Sequence, residues 1–123
     1  METVKQLNKQ EFTTKVADIE KSKGEWKFLG ERPAVIDFFA TWCGPCKALA
    51  PVLNELAADY QYKDRIDFYK VDIDQEQELA AVFGVRSVPT LLFTPLSGMP
   101  QMMTGGRPKS DLKRIIDEVL MGK

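Results

Sequence analysis

Ala34-Val35-Ile36-Asp37-Phe38-Phe39-Ala40-Thr41-Trp42-Cys43-Gly44-Pro45-Cys46-Lys47 carries the strongest fold signal in the chain. Its first seven residues form a near-continuous apolar run of strand length, broken only by Asp37, which suits a strand buried on both faces. Both cysteines of the chain follow, two residues apart, at the start of a segment in which Cys46, Leu49, Ala50, Leu53, Leu56 and Ala57 recur at helical spacing. Pro51 falls inside that stripe and should kink the helix, because it lacks an N–H and crowds the preceding turn. A strand that runs into Cys-x-x-Cys at the start of a helix is the sequence context of a redox dithiol.

Outward from this stretch the chain alternates strand and helix signals. On the N-terminal side, Thr3 to Leu7 reads as an edge strand. Asn8 and Glu11 have capping-box spacing, and Phe12, Val16 and Ile19 predict a helix over 11–19. Lys21 to Arg32, with Gly24 and Gly30 amid mixed charge, reads as a loop. Its Trp26, Phe28 and Leu29 either cover the edge of the core or form a partner-binding insert. On the C-terminal side, Arg65 to Ile73 reads as a strand. Asp74 with Gln77 can cap a helix carrying Leu79, Ala80, Val82 and Phe83, and Gly84 is placed to stop it. Thr90 to Thr94 and Met99 to Thr104 read as a hairpin around Pro95-Leu96-Ser97-Gly98. Ser110 can cap a last helix with Leu112, Ile115, Ile116, Val119 and Leu120 on its core face. The order β-α-β-α-β-α-β-β-α predicts an α/β fold with parallel pairing and an antiparallel edge from the final hairpin.

Bulk properties narrow the function. A length of 123 residues fits one domain, 1–123, with a core that needs no staples. Lys plus Arg number 17 against 18 Asp plus Glu, with no basic block, which argues against nucleic acid as a partner. No apolar run approaches the roughly 18 residues that span a bilayer. Met1 to Gln6 lacks the apolar stretch of a signal peptide, although removal of a leader would leave a chain like this one. The expectation is cytoplasmic, or periplasmic and extracytoplasmic if a leader is removed. The absence of histidine removes His-based acid–base chemistry and most zinc sites.

A purely structural bridge between Cys43 and Cys46 would close a very small loop, which constrains the unfolded chain least. A metal or iron–sulfur site needs about four ligands, and there is no second Cys pair. Inert core thiols are the remaining bland reading. The redox reading has a mechanism. Cys43 at a helix N-terminus meets unpaired N–H groups and the positive end of the dipole, which favour a thiolate. It attacks a substrate disulfide, and Cys46, one turn on, resolves the mixed disulfide. Uncharged Gly44 and Pro45 stabilise the thiolate weakly, which points to a reductant rather than a strong oxidant. Asp37 lies six residues before Cys43; burial is costly for a carboxylate and should raise its pKa. It is either a strand residue facing a polar pocket or a proton acceptor for the thiols. Lys70, isolated in an apolar strand, either approaches Asp37 or is merely solvated. Pro89 is either a plain strand-start residue or a cis-proline beside the dithiol.

With these motifs in order, the chain resembles a thioredoxin from about Pro33 to Leu120. The resemblance rests on Asp37 to Lys47, on Ala50-Pro51, on Asp72-Ile73-Asp74 after the Lys70 strand, on Gly84 to Thr90, and on Gly105. It implies a central mixed sheet with helices on both faces. It implies a Cys43–Cys46 redox disulfide with Cys43 as nucleophile and Cys46 as resolving thiol, Asp37 as buried acid/base with Lys70 as its neighbour, and Pro89 as a cis-proline. Trp42, Gly44, Pro45, Val88, Pro89 and Gly105 would form the substrate-binding surface. The implied activity is protein-disulfide reduction in redox homeostasis, by a monomer, without cofactor or metal. Its partners would be disulfide-containing proteins and a reductase. The chain departs from the family at Phe39, where many bacterial members carry Trp, and in a longer 21–32 connection. Two rivals stand beside this reading: an extracytoplasmic oxidant or isomerase, and a non-enzymatic partner-binding module.

Overall fold

The computed structural model describes residues 4–21 and 25–123. Its middle strand is the apolar run: β2 (Ala34–Phe39) is the third strand of a five-stranded sheet in the order β1-β3-β2-β4-β5. The others are β1 (Val4–Gln6), β3 (Asp67–Asp72), β4 (Thr90–Thr94) and β5 (Gln101–Thr104). Helices α1 (Lys9–Lys15), α2 (Gly44–Ala58), α3 (Gln77–Val82) and α4 (Lys109–Ile115) complete the fold, and α4 runs on as a π-helical stretch over Ile116–Leu120. Side chains of a strand alternate between faces. Ala34, Ile36 and Phe38 therefore pack with Phe12, Val16 and Leu79 on the face covered by α1 and α3. Val35 packs with Leu49, Leu53 and Leu56 of α2 and with Leu112 and Ile115 of α4 on the other. Asp37 and Phe39 share the Val35 parity, so both point to the α2 side of the sheet.

Parallel pairing holds for β1, β3 and β2 but not for β4, which lies antiparallel to β2 with Asp37 opposite Leu91. The antiparallel character thus begins one strand earlier than the alternation predicts. Helix α3 has six residues, about 9 Å at 1.5 Å per residue, whereas β3, also six residues, spans about 20 Å. The connection does not travel back along the sheet. The chain re-enters near the end it left, and β4 has to run the other way. This brings Val88-Pro89 to the end of the sheet where β2 delivers the cysteines.

Local signals are partly borne out. Asn8 and Glu11 form the expected reciprocal capping box. The helix stops at Lys15 rather than Ile19, because the Val16 carbonyl accepts from Leu29 N–H at 2.8 Å and the chain turns inward. Gly84, at φ +65°, closes α3: its N–H reaches Ala81 O and Val85 N–H reaches Ala80 O, the two bonds of a Schellman stop. The expected caps of α3 and α4 are not formed. Residue Glu76 precedes α3 without a side-chain cap, and Pro108 precedes α4, leaving Ser110 inside the helix. Helix α2 continues through Pro51, and both Ala50 and Pro51 lie on its exposed side rather than on the buried stripe. The strands at 65–73 and 99–104 are trimmed to 67–72 and 101–104. Thr3, where the first strand was expected to begin, lies outside the described residues, as do 22–24 of the 21–32 connection. Trp26 and Phe28 from that connection pack against the α1/α3 core, with Trp26 edge-on to Phe83 at 6.2 Å. Leu29 is exposed.

Candidate active site

The C-terminal end of β2 delivers the chain into a turn at Ala40–Trp42, and Cys43 becomes the N-cap of α2. In that position its sulfur accepts the Cys46 N–H at 3.1 Å, where a Ser or Asp oxygen would ordinarily sit. Pro45 costs nothing there, since its absent N–H falls in the first turn. Cys43 and Cys46 form a disulfide with their Cα atoms 5.3 Å apart. The two residues are almost equally buried, at 4% and 3% exposure, so burial does not distinguish them. Their neighbours do. Cys43 Sγ lies 3.6 Å from the Val88 carbonyl oxygen, while Cys46 lines a cleft that also borders Asp37 and Lys70.

The Val88–Pro89 peptide is cis, which selects one of the two readings of Pro89. The segment is pinned from both sides. Thr90 Oγ1 donates to Ser87 O at 2.8 Å, and Gly105 N–H donates to Pro89 O at 2.8 Å. Gly105 sits at φ +96°, a conformation that side-chain-bearing residues rarely adopt. Trp42, Gly44 and Pro45 are exposed, Val88 and Gly105 are half-buried, and Pro89 is buried. The first five therefore reach the surface around the disulfide.

Trp42 is 67% exposed, yet its indole N–H donates to Asp74 Oδ2 at 2.8 Å. Asp74 is itself held: its N–H donates to Asp72 Oδ1 at 2.9 Å and its carbonyl accepts from Gln77 Nε2 at 3.3 Å. Asp72 is buried. The expected cap of α3 is thus an anchor for the aromatic ring beside Cys43. The sequence signal was an acidic pair at the end of β3, Asp72 in its last position and Asp74 two residues on, at the same sheet end as the cysteines.

Asp37 is 4% exposed, and its Oδ1 has no hydrogen-bond partner among the described residues. Loss of solvent pushes its pKa up to about 7, against the opposing pull of the Lys70 charge. Lys70 stands directly across from Asp37 in the β2–β3 register, and its Nζ lies 5.7 Å from the Phe39 ring centroid. A cleft of about 300 Å³ connects them: Asp37, Phe39, Cys46, Lys47, Ala50 and Lys70 line it. Among the described residues no cluster of His, Cys, Asp or Glu is arranged to hold a metal ion.

The geometry has close counterparts. A family model described as thioredoxin matches residues 3–118. The chain belongs to the thioredoxin family. It is 45% identical over 112 residues to a thioredoxin of Borreliella burgdorferi, covering 91% of this chain and 93% of that one. A Staphylococcus aureus thioredoxin is 44% identical over 86 residues, 70% of this chain and 81% of the relative. The thioredoxin structure of Malassezia sympodialis superposes with TM-score 0.73 at 30% identity over 96% of this chain and 91% of its own. Chloroplastic thioredoxin z shares the fold, with TM-score 0.74 at 22% identity over 96% and 95% of the two chains. The thioredoxin-family chain is a thiol–disulfide oxidoreductase that reduces protein disulfides, with Cys43 and Cys46 as its redox pair.

Proposed function

We propose that Cys43 is the attacking thiol and Cys46 the resolving one. In the reduced protein the Cys43 thiolate is stabilised by the Cys46 N–H and the α2 N-terminus. It attacks one sulfur of a substrate disulfide. A Cys43–substrate bond forms, the substrate S–S bond breaks, and one substrate thiolate leaves. Asp37 takes the Cys46 proton through the cleft they share. The Cys46 thiolate attacks Cys43 Sγ, the second substrate thiolate leaves, and the internal disulfide closes. Two electrons have passed to the substrate, and a reductase returns them.

Trp42, Gly44, Pro45, Val88, Pro89 and Gly105 hold the substrate polypeptide around Cys43, and Lys70 tempers the charge of Asp37. The single observation that carries the assignment is the asymmetry of neighbours: Cys43 faces Val88 at the substrate-facing loop, Cys46 faces the Asp37 cleft. The chain works as a monomeric domain over 1–123, in the cytoplasm, without cofactor. Among the described residues no helix is long and apolar enough to cross a membrane.

Insulin reduction driven by dithiothreitol tests the reading. Cys43→Ser should fall to the uncatalysed rate, and Cys46→Ser should accumulate mixed disulfides visible on non-reducing gels. Accumulation by Cys43→Ser instead reverses the roles. A wild-type rate no better than that of Cys43→Ser removes the enzyme reading altogether.

A further inference from the structure

A second cleft, of about 220 Å³, opens against the redox motif between α2 and the β5–α4 connection. Pro45, Ala48, Leu49 and Val52 form its apolar wall, and Gly106 and Arg107 close it. Gly106 has open space where a Cβ would stand, so a polypeptide can approach the backbone there. The connection is tied to the substrate-facing loop two residues earlier by the Gly105–Pro89 hydrogen bond. Arg107 is exposed and makes no ion pair among the described residues. The neighbouring carboxylate on α2, Glu55, is already engaged by Lys109 at 3.1 Å. Asp111, in the first turn of α4, forms no ion pair with Arg107 among the described residues. An unmatched guanidinium at the mouth of an apolar notch offers a planar fork that fits a carboxylate.

We propose that this cleft is a specificity subsite for protein substrates. It takes an apolar side chain flanking the substrate cysteine and binds a carboxylate next to that side chain through Arg107. The inference rests on the reductase reading, since it concerns which disulfides Cys43 meets. Substrates carrying Asp or Glu beside an apolar residue at the scissile disulfide are favoured. An exposed pair of this kind supports a preference of about threefold to fivefold at low salt. The preference weakens as ions screen the pair.

The test uses two synthetic peptides, each with one intramolecular disulfide flanked by Leu-Glu or Leu-Gln and otherwise identical. Values of kcat/KM are measured at low and at high salt with dithiothreitol as the electron source. The wild-type protein should prefer the Glu peptide about threefold to fivefold at low salt, less at high salt. Arg107→Gln should bring the ratio near one, and Arg107→Glu should invert it. Ala48→Glu, which supplies the guanidinium with an internal partner on the exposed side of α2, should also erase the preference. A wild-type ratio near one, or a preference untouched by Arg107→Glu, overturns the subsite while leaving the reductase intact. If neither peptide is reduced faster than with Cys43→Ser, it is the underlying reductase reading that fails.

Discussion

Replacing Asp37 by Asn should make the stability of the protein nearly independent of pH where the wild type is steeply dependent. The folded carboxyl ionises near 7 against 3.8 when solvated. Three units at 1.36 kcal/mol each give about 4 kcal/mol of preference for the neutral form in the folded state. The sign follows from proton counts. Between roughly pH 4 and pH 7 the unfolded chain has lost this proton and the folded chain keeps it, so stability falls as pH rises and levels off above about 7. About 3 kcal/mol of the loss is expressed between about pH 5 and pH 8. The window is unusually clear of other groups, because the chain has no histidine and the oxidised cysteines do not titrate. Asn also buries an amide in a place short of partners, at a cost of about 1–3 kcal/mol. That offset does not vary with pH, so the diagnostic quantity is the slope, not the value at one pH. Urea unfolding of the oxidised wild type and of Asp37→Asn, with midpoint and m fitted at several pH values, reads it directly. Parallel stability curves for the two proteins would refute the burial argument, and with it the case for Asp37 as a proton acceptor poised near neutrality. The same ionisation should appear in kinetics as a resolution rate that rises through about pH 7 in the wild type and loses that inflection in the variant.

The Trp42 anchor and the Gly105 turn make separate predictions. Asp74→Ala should raise KM for a protein disulfide severalfold with a smaller change in kcat and alter Trp42 fluorescence, while Asp74→Asn, which keeps an acceptor for the indole, should restore both; equal effects from the two variants would show that the contact does not position the ring. Gly105→Val places a β-branched residue at φ +96° and should cost about 1–3 kcal/mol in chemical denaturation. An unchanged midpoint would mean that the turn relaxes without strain.

Much of this was legible in residue order. The buried run at 34–40 announced a central strand because a continuous apolar stretch has no solvent face to offer. Cys43 and Cys46 could be placed at a helix start because strand and helix periodicities meet between them. Asn8 with Glu11, and Gly84, declared their helix ends because capping is a local hydrogen-bond problem solved within a few residues. The raised pKa of Asp37 followed from one carboxylate in an apolar run. The last turn of α1 failed because Val16 bonds to Leu29, thirteen residues away, and periodicity sees only near neighbours.

The relations between segments come from packing. The antiparallel entry of β4 depends on how far α3 carries the chain along the sheet, which no spacing rule states. That direction places Val88 O near Cys43 Sγ, 45 residues away, and the sheet register sets Lys70 across from Asp37. Asp74 looked like a helix cap until packing gave its carboxylate the Trp42 indole, and Arg107 carried no signal until α2 and the β5–α4 connection enclosed a notch around it. Residue order alone places a dithiol at a helix start behind a buried acid, since local periodicity and composition suffice for that. Which groups face each thiol was settled only in three dimensions, because hydrogen bonds and charges act through distance rather than along the chain.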